Sequence, residues 1–211
     1  MNSFDYKIEN FLIKKIDKIQ NPTILELGVQ NGRSTKKFLE ICRKNNGKLY
    51  SVDIDDCSNV LNDKNWNFFQ SRDDNFKFIK SKIENLIDVL FIDTLHEADH
   101  VEKLIYGYFD IIKIDGYLFI DDISHLPYLK TSNRNNFYCE INNHETFQRI
   151  LEIYNNNQDN LELEFCFISS GLAIFKKKKN FLNKKEKIIS RNFTIKNITR
   201  FIIKNFLKKN F

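Results

Sequence analysis

Thr23-Ile24-Leu25-Glu26-Leu27-Gly28-Val29-Gln30-Asn31-Gly32-Arg33-Ser34 is an apolar run that ends in a Glu-x-Gly-x-x-x-Gly turn. Such a run reads as a buried strand feeding a helix. Gly28 lets the chain turn sharply off the strand, and Gly32 is expected to leave no side chain between the backbone and a ligand. Ser34 then starts a helix whose amino end favours negative charge. A dinucleotide loop would place its glycines as Gly-x-Gly-x-x-Gly, whereas here they stand four apart, so a diphosphate is not the expected guest. Taken alone, the turn is equally an ordinary strand-to-helix connection.

On either side of this turn, strands and helices alternate. Ile8, Phe11, Leu12, Ile16 and Ile19 recur at helical intervals and predict an amphipathic helix over 4–20, broken by Asn21-Pro22. A helix over 34–45 follows the turn, then strands at Leu49–Ile54 and Trp66–Gln70, and a helix at Phe76–Leu86. Asp88–Ile92 is an apolar run typical of a strand covered on both faces. Glu97–Ile112 is expected to be helical, Gly116 to turn the chain into a strand at Tyr117–Ile120, and Glu145–Tyr154 to form another helix. Leu161–Ile168 and Gly171–Lys176 read as a closing hairpin through Ser169-Ser170. This order implies a mainly parallel sheet with crossover helices and an antiparallel last strand. The segment 124–141 is a long polar and aromatic loop of the kind that carries function.

The 211 residues suffice for one substantial core, much of it supplied by 20 Phe. The net charge of +5 hides two unlike parts. Residues 176–211 hold 13 Lys or Arg against the single acid Glu186, a balance of +12, which leaves −7 on residues 1–175. An acidic body with a basic tail differs from a uniformly basic nucleic-acid binder. Cys42, Cys57, Cys139 and Cys166 lack Cys-x-x-Cys spacing, so they read as thiols of a reducing compartment rather than a zinc site. No signal core or spanning run is visible, and a cytoplasmic protein is expected. In the tail, Lys196, Arg200, Lys204 and Lys208 recur every four residues beside Ile198, Phe201, Ile202 and Phe206. Such a basic amphipathic helix suits an anionic membrane surface, or docking on its own domain or a second subunit; nucleic acid is the weaker alternative, because the body is acidic.

Ligands of an open α/β sheet sit outside the carboxyl ends of the strands. Four of those ends are acidic here: Asp53 with Asp55 and Asp56, Asp73 with Asp74, Asp93, and Asp121 with Asp122. An acid at the second strand end can accept both hydroxyls of a ribose. Helix capping explains one or two such acids but not three at adjacent strand ends, where they would repel one another unless a hard divalent cation or a nearby Lys or Arg neutralised them. His96 follows Asp93 by three residues and can move a proton near neutral pH. His100, one turn on, reads as structural; His125 is a candidate substrate contact, and His144 belongs to a helix start.

The combination of the Gly turn, Asp53, the run Val89-Leu90-Phe91-Ile92-Asp93-Thr94-Leu95-His96 and the run Gly116-Tyr117-Leu118-Phe119-Ile120-Asp121-Asp122 resembles class I S-adenosylmethionine-dependent methyltransferases of the cephalosporin hydroxylase and macrolide-sugar O-methyltransferase type, and more distantly the catechol-type enzymes. The match covers about residues 20–176. It implies a seven-stranded Rossmann-like α/β methyltransferase domain over 1–179, followed by a basic extension over 180–211. It further implies S-adenosylmethionine held by Glu26, Gly28, Gly32, Ser34 and Asp53, with Ser71 and Asp73 near the adenine end. Magnesium would be held by Asp93, Asp121 and Asp122, and His96 would serve as the base. Thr94 and Leu95 depart from the usual Gly-x of these relatives. The implied acceptor is a hydroxyl of a sugar, glycan or small molecule. The alternatives are a metal-independent RNA methyltransferase and a non-catalytic or membrane-docked cofactor-binding partner.

Overall fold

A computed structural model describes residues 2–125, 141–188 and 195–208. Strands β1 (Thr23–Leu27), β2 (Lys48–Asp53), β3 (Trp66–Gln70), β4 (Ile87–Ile92), β5 (Ile112–Asp121), β6 (Leu161–Cys166) and β7 (Leu172–Lys177) form one seven-stranded sheet in the order β3-β2-β1-β4-β5-β7-β6. Only β7 runs against its neighbours. The helices are α1 (Ser3–Lys7), α2 (Lys14–Ile16), α3 (Arg33–Lys44), α4 (Phe76–Lys82), α5 (Ala98–Tyr108), α6 (Asn143–Asn155) and α7 (Ile195–Lys208). A π-helical turn, Ile8–Ile13, joins α1 to α2 and begins one residue after Lys7.

The central strands are buried on both faces, because successive side chains alternate and helices cover each side. One face carries Ile24, Val89, Phe91 and Phe119 against Ile8, Leu12, Ile16, Phe38 and Leu39 from the amino-terminal helices and α3. The other carries Leu25, Leu90, Leu118 and Ile120 against α4, α5 and α6. This assignment matters at the strand ends: Asp121, two residues after Phe119, shares the face on which α1 packs.

Several boundaries differ from the sequence reading. The amino-terminal helical run stops at Ile16 rather than 20, and α5 ends at Tyr108 with a single 3-10 turn, Phe109–Ile111. Strand β5 starts at Ile112, five residues before the expected Tyr117. The Gly116 turn lies inside that strand as an irregularity: Asp115 is left-handed at φ +64°, and pairing with β4 shifts register between Ile87 and Val89. Residues 182–186, expected in the extension, hydrogen-bond to the body: the Tyr106 hydroxyl donates to Asn183 O at 2.6 Å, and Asn183 N donates to Asn157 Oδ1 at 2.6 Å. Most of the 124–141 loop, including Cys139, lies outside the described residues; Cys42, Cys57 and Cys166 are buried free thiols.

Candidate active site

Where β1 to β5 end, the loops enclose a cleft of about 670 Å³, ample for a nucleoside-sized ligand. Its floor is the turn after β1. Gly28, at φ +96°, donates its amide to Val52 O at 2.8 Å, and a Cβ there would lie 1.9 Å from Asp93 O. Only glycine allows the turn to pass that close to the end of β4. Gly32 is different from the expectation. Although left-handed at φ +72°, it does not line the cleft, and a Cβ on it would meet Val60 Cγ1 at 2.1 Å. Its missing Cβ makes room for the segment after β2.

Asp53 anchors this turn. Its Oδ2 accepts from the amides of Val29 at 2.8 Å and Gln30 at 3.0 Å, and Oδ1 accepts from Asp55 N at 3.1 Å. Burial pushes its pKa up, but the amides of Gln30, Val29, Asp55 and Ile54 outweigh that and hold it below the ordinary Asp value. A carboxylate so fixed lines the cleft with accepting capacity left for a ligand's hydroxyls. Ser34, Ser71 and Asp73 also line the cleft. Glu26 does not. It is wholly buried beneath the turn, accepting from Ser34 Oγ at 2.6 Å and Ser51 Oγ at 2.7 Å. Burial pushes its pKa up to about 7, against the lowering effect of the two hydroxyls. Its part is to tie β1 to α3 and β2.

The three acids after β4 and β5 are not gathered on one point. Asp93 and Asp122 face the cleft with His96, whose Nε2 is 3.6 Å from Asp93 Oδ1 and 3.2 Å from Asp122 Oδ2. Burial raises the pKa of both acids, and the neighbouring carboxylates raise them further. Asp122 is left-handed at φ +58°, a conformation Asp tolerates, and this sends its side chain away from that of Asp121. Asp121 is 2% exposed and turned to the α1 face. Its Oδ1 accepts from the fully buried Lys7 ammonium, from Ser170 Oγ at 2.9 Å and from Asp122 N at 2.7 Å. Among the described residues, no three His, Cys, Asp or Glu side chains form a group able to hold a metal ion. The donor set therefore does not fit the three-carboxylate magnesium site that the resemblance implies: one of its members is already paired.

Lys7 escaped the sequence reading, although its position signalled it. It follows Phe4 by three residues and precedes Phe11 by four, the spacing of the helix's apolar face. His100, which the sequence reads as structural, lines the cleft, and its Nε2 is 2.8 Å from Asp73 Oδ2. Phe4 and Arg33 also reach the cleft; the Arg33 guanidinium lies 4.5 Å over the Phe4 ring and pairs with Asp5. The amino-terminal helix is thus one wall of the site. His125 stacks on His144 at 4.7 Å and meets Phe147 at a tilt with ring centroids 4.5 Å apart, and burial lowers its pKa.

Residues 25–123 match the family model of a methyltransferase domain. No curated protein matches the chain. Among solved structures, the chain is similar to a putative caffeoyl-CoA O-methyltransferase from Staphylococcus aureus, at 14% identity and TM-score 0.60, with 84% of each chain covered. It is similar to a methyltransferase from Podospora anserina solved with S-adenosylhomocysteine, at 12% identity and TM-score 0.61, covering 84% of this chain and 86% of that one. It is also similar to the mycinamycin-pathway methyltransferase MycE solved with magnesium and S-adenosylhomocysteine, at 17% identity and TM-score 0.60, covering 90% of this chain but 55% of that one. The shared architecture is the seven-stranded, Rossmann-like methyltransferase fold.

Proposed function

We propose that this chain, an S-adenosylmethionine-dependent methyltransferase, methylates a hydroxyl oxygen on a sugar, a glycan or another small molecule. The single observation that carries the reading is His96 standing at the cleft between Asp93 and Asp122. A ring whose Nε2 is held beside two carboxylates keeps its proton on that side and leaves Nδ1 to accept the proton of an acceptor hydroxyl, while the carboxylates orient the ring and stabilise the charge it gains.

The cofactor would lie across the ends of β1, β2 and β3, with Asp53 receiving its ribose hydroxyls, Gly28 giving the backbone clearance and Ser71 and Asp73 at the adenine end. When bound, it supplies an activated methyl group. The chain's own work is then to hold the acceptor in line, exclude water and take one proton on His96. Magnesium belongs to this reading only through the resemblance and through MycE, and no step is assigned to it here. For the tail, we propose contact with an anionic membrane surface. Ile195, Ile198 and Ile202 recur on α7 at the spacing of one face and are exposed, with Lys196 and Arg200 on the same helix. No described helix is long and apolar enough to cross a membrane.

The test is calorimetry with S-adenosylhomocysteine, followed by transfer of labelled methyl to a panel of sugar and phenolic hydroxyls. Asp53→Ala should weaken cofactor binding at least about tenfold. His96→Ala should keep that affinity and lose transfer by about a hundredfold or more. Undiminished transfer by a folded His96→Ala variant removes the base from this mechanism.

A further inference from the structure

Three stretches distant in sequence meet at Lys7. Its ammonium donates to Asp121 Oδ1, to Ser170 Oγ at 2.7 Å and to Gly171 O at 3.2 Å, which uses all the donors an ammonium has. The last two partners come from the turn between β6 and β7, and the fold is shaped to bring that turn in. Gly171 sits at φ +86°, and a Cβ on it would lie 2.6 Å from Ser124 N; Ser124 N itself donates to Ser170 O at 2.8 Å. Lys7 is fully buried and Asp121 nearly so. An ammonium in such a place is retained only with its partners, because losing the anion leaves a buried charge without compensation.

We propose that Lys7 is the resident cation of the acidic strand ends: it withholds Asp121 from any divalent ion, and methyl transfer in this chain runs on the Asp93–His96–Asp122 face without a metal. The second half of this inference rests on the hydroxyl-methylating reading above; the first half does not. Two features of geometry support it. Asp121 Oδ1 already accepts from Lys7, Ser170 and the Asp122 amide, so an ion taken by the other oxygen would share one carboxylate with a buried ammonium whose charge repels it. The remaining pair already shares a ring nitrogen, since His96 Nε2 lies 3.6 Å from Asp93 Oδ1 and 3.2 Å from Asp122 Oδ2, and an ion bridging those two oxygens would have to displace it. Magnesium requires near-octahedral oxygens at about 2.0–2.1 Å and gives up water reluctantly, so it competes poorly for one orphaned pair of acids. Lys7 is accordingly a positioning residue: it fixes Asp121 and docks the amino-terminal helix that walls the cleft.

The deciding experiment is calorimetric titration of magnesium chloride into the full chain and its variants, read beside magnesium-dependent shifts in melting temperature. Wild type should show no saturable binding in the low-millimolar range. Lys7→Met, which frees Asp121, should bind magnesium at least about tenfold more tightly and melt higher when it is added. Saturable binding by wild type overturns the proposal, whether it is lost in Asp121→Asn or kept there by Asp93 and Asp122. If Lys7→Met does not fold, Lys7→Met combined with Asp121→Asn removes both buried charges; recovery of folding supports the pair as a structural unit, and continued failure to fold counts against it. S-adenosylhomocysteine binding, measured on the same samples, reports separately on the methyltransferase reading.

Discussion

Glu26 and Asp121 are both acidic, both buried and both placed near the ligand end of one sheet, yet the fold handles them in opposite ways. Glu26, on β1, meets hydroxyls, with those of Ser34 and Ser51 bonded to it, and burial pushes its pKa up to about 7. Asp121, on β5, meets an ammonium delivered by α1. The difference lies in what covers each strand end. Over β1 the cover is the start of α3, whose first turn offers Ser34 and unpaired amides. Over β5 it is a helix from the far amino terminus carrying one lysine on its apolar face. A hydroxyl-bonded acid can take up a proton and become neutral; an ion pair must stay whole. Glu26 should therefore respond to pH, and Asp121 to loss of its partner.

The largest expected effect is at the ion pair. Lys7→Met should cost about 3–5 kcal/mol in urea unfolding at neutral pH, the usual price of leaving one buried charge alone. Replacing both members, as Lys7→Met with Asp121→Leu, should recover most of that loss, because two apolar side chains strand no charge. A loss below about 1 kcal/mol for the single variant would mean that the pair behaves like an exposed one and would dissolve the contrast with Glu26.

A smaller and signed effect belongs to Glu26. Its folded pKa of about 7 lies above the ordinary 4.5, so between those values the folded chain holds a proton that the unfolded chain has released. Stability should fall as pH rises through that window, by about 3 kcal/mol in all, and then level off. Glu26→Gln, which still bonds both serines, should lack this slope and be the more stable protein at pH 8. Parallel slopes for the two proteins in denaturant titrations from pH 4 to pH 8 would show that Glu26 keeps its ordinary pKa in the folded chain.

The strands and the lining of the cleft are largely legible in the sequence, because their signals are local. The alternation of apolar runs and turns gives the strands and their order of crossover, and Gly28, Asp53, Ser71 and Asp73 do line one cleft. The errors have the opposite character. Gly32 reads locally as a ligand contact, whereas in the fold its missing Cβ accommodates Val60, 28 residues away in the chain. Glu26 was placed in the cleft, and strand parity puts it beneath α3. Asp121 was grouped with Asp122 by adjacency, whereas alternation in β5 and a left-handed Asp122 turn them apart. Lys7 lies 114 positions from Asp121, and no local pattern links the two. A helix period shows that Lys7 faces inward; which acid it meets is fixed only by docking.

The smallest effect on stability is expected at the tail, where the comparison is between the acidic body and the basic end. Removing residues 189–211 leaves in place the segment that bonds to Tyr106, Asn157 and Glu102. The melting temperature should therefore stay within a degree or two of the full chain's, the range expected of surface changes. Binding to vesicles rich in anionic lipid should be lost, because the deletion takes away both the exposed Ile195, Ile198 and Ile202 stripe and its neighbouring cations. Methylation of a dissolved acceptor should persist, since the cleft residues lie wholly in the retained part. Co-sedimentation with and without salt separates the contributions: the electrostatic share weakens as salt is raised, while the apolar share remains. A truncated chain that melts well below the full one would instead place the apolar stripe of α7 against protein, on its own domain or on a second copy, and would remove the membrane from the account of the tail.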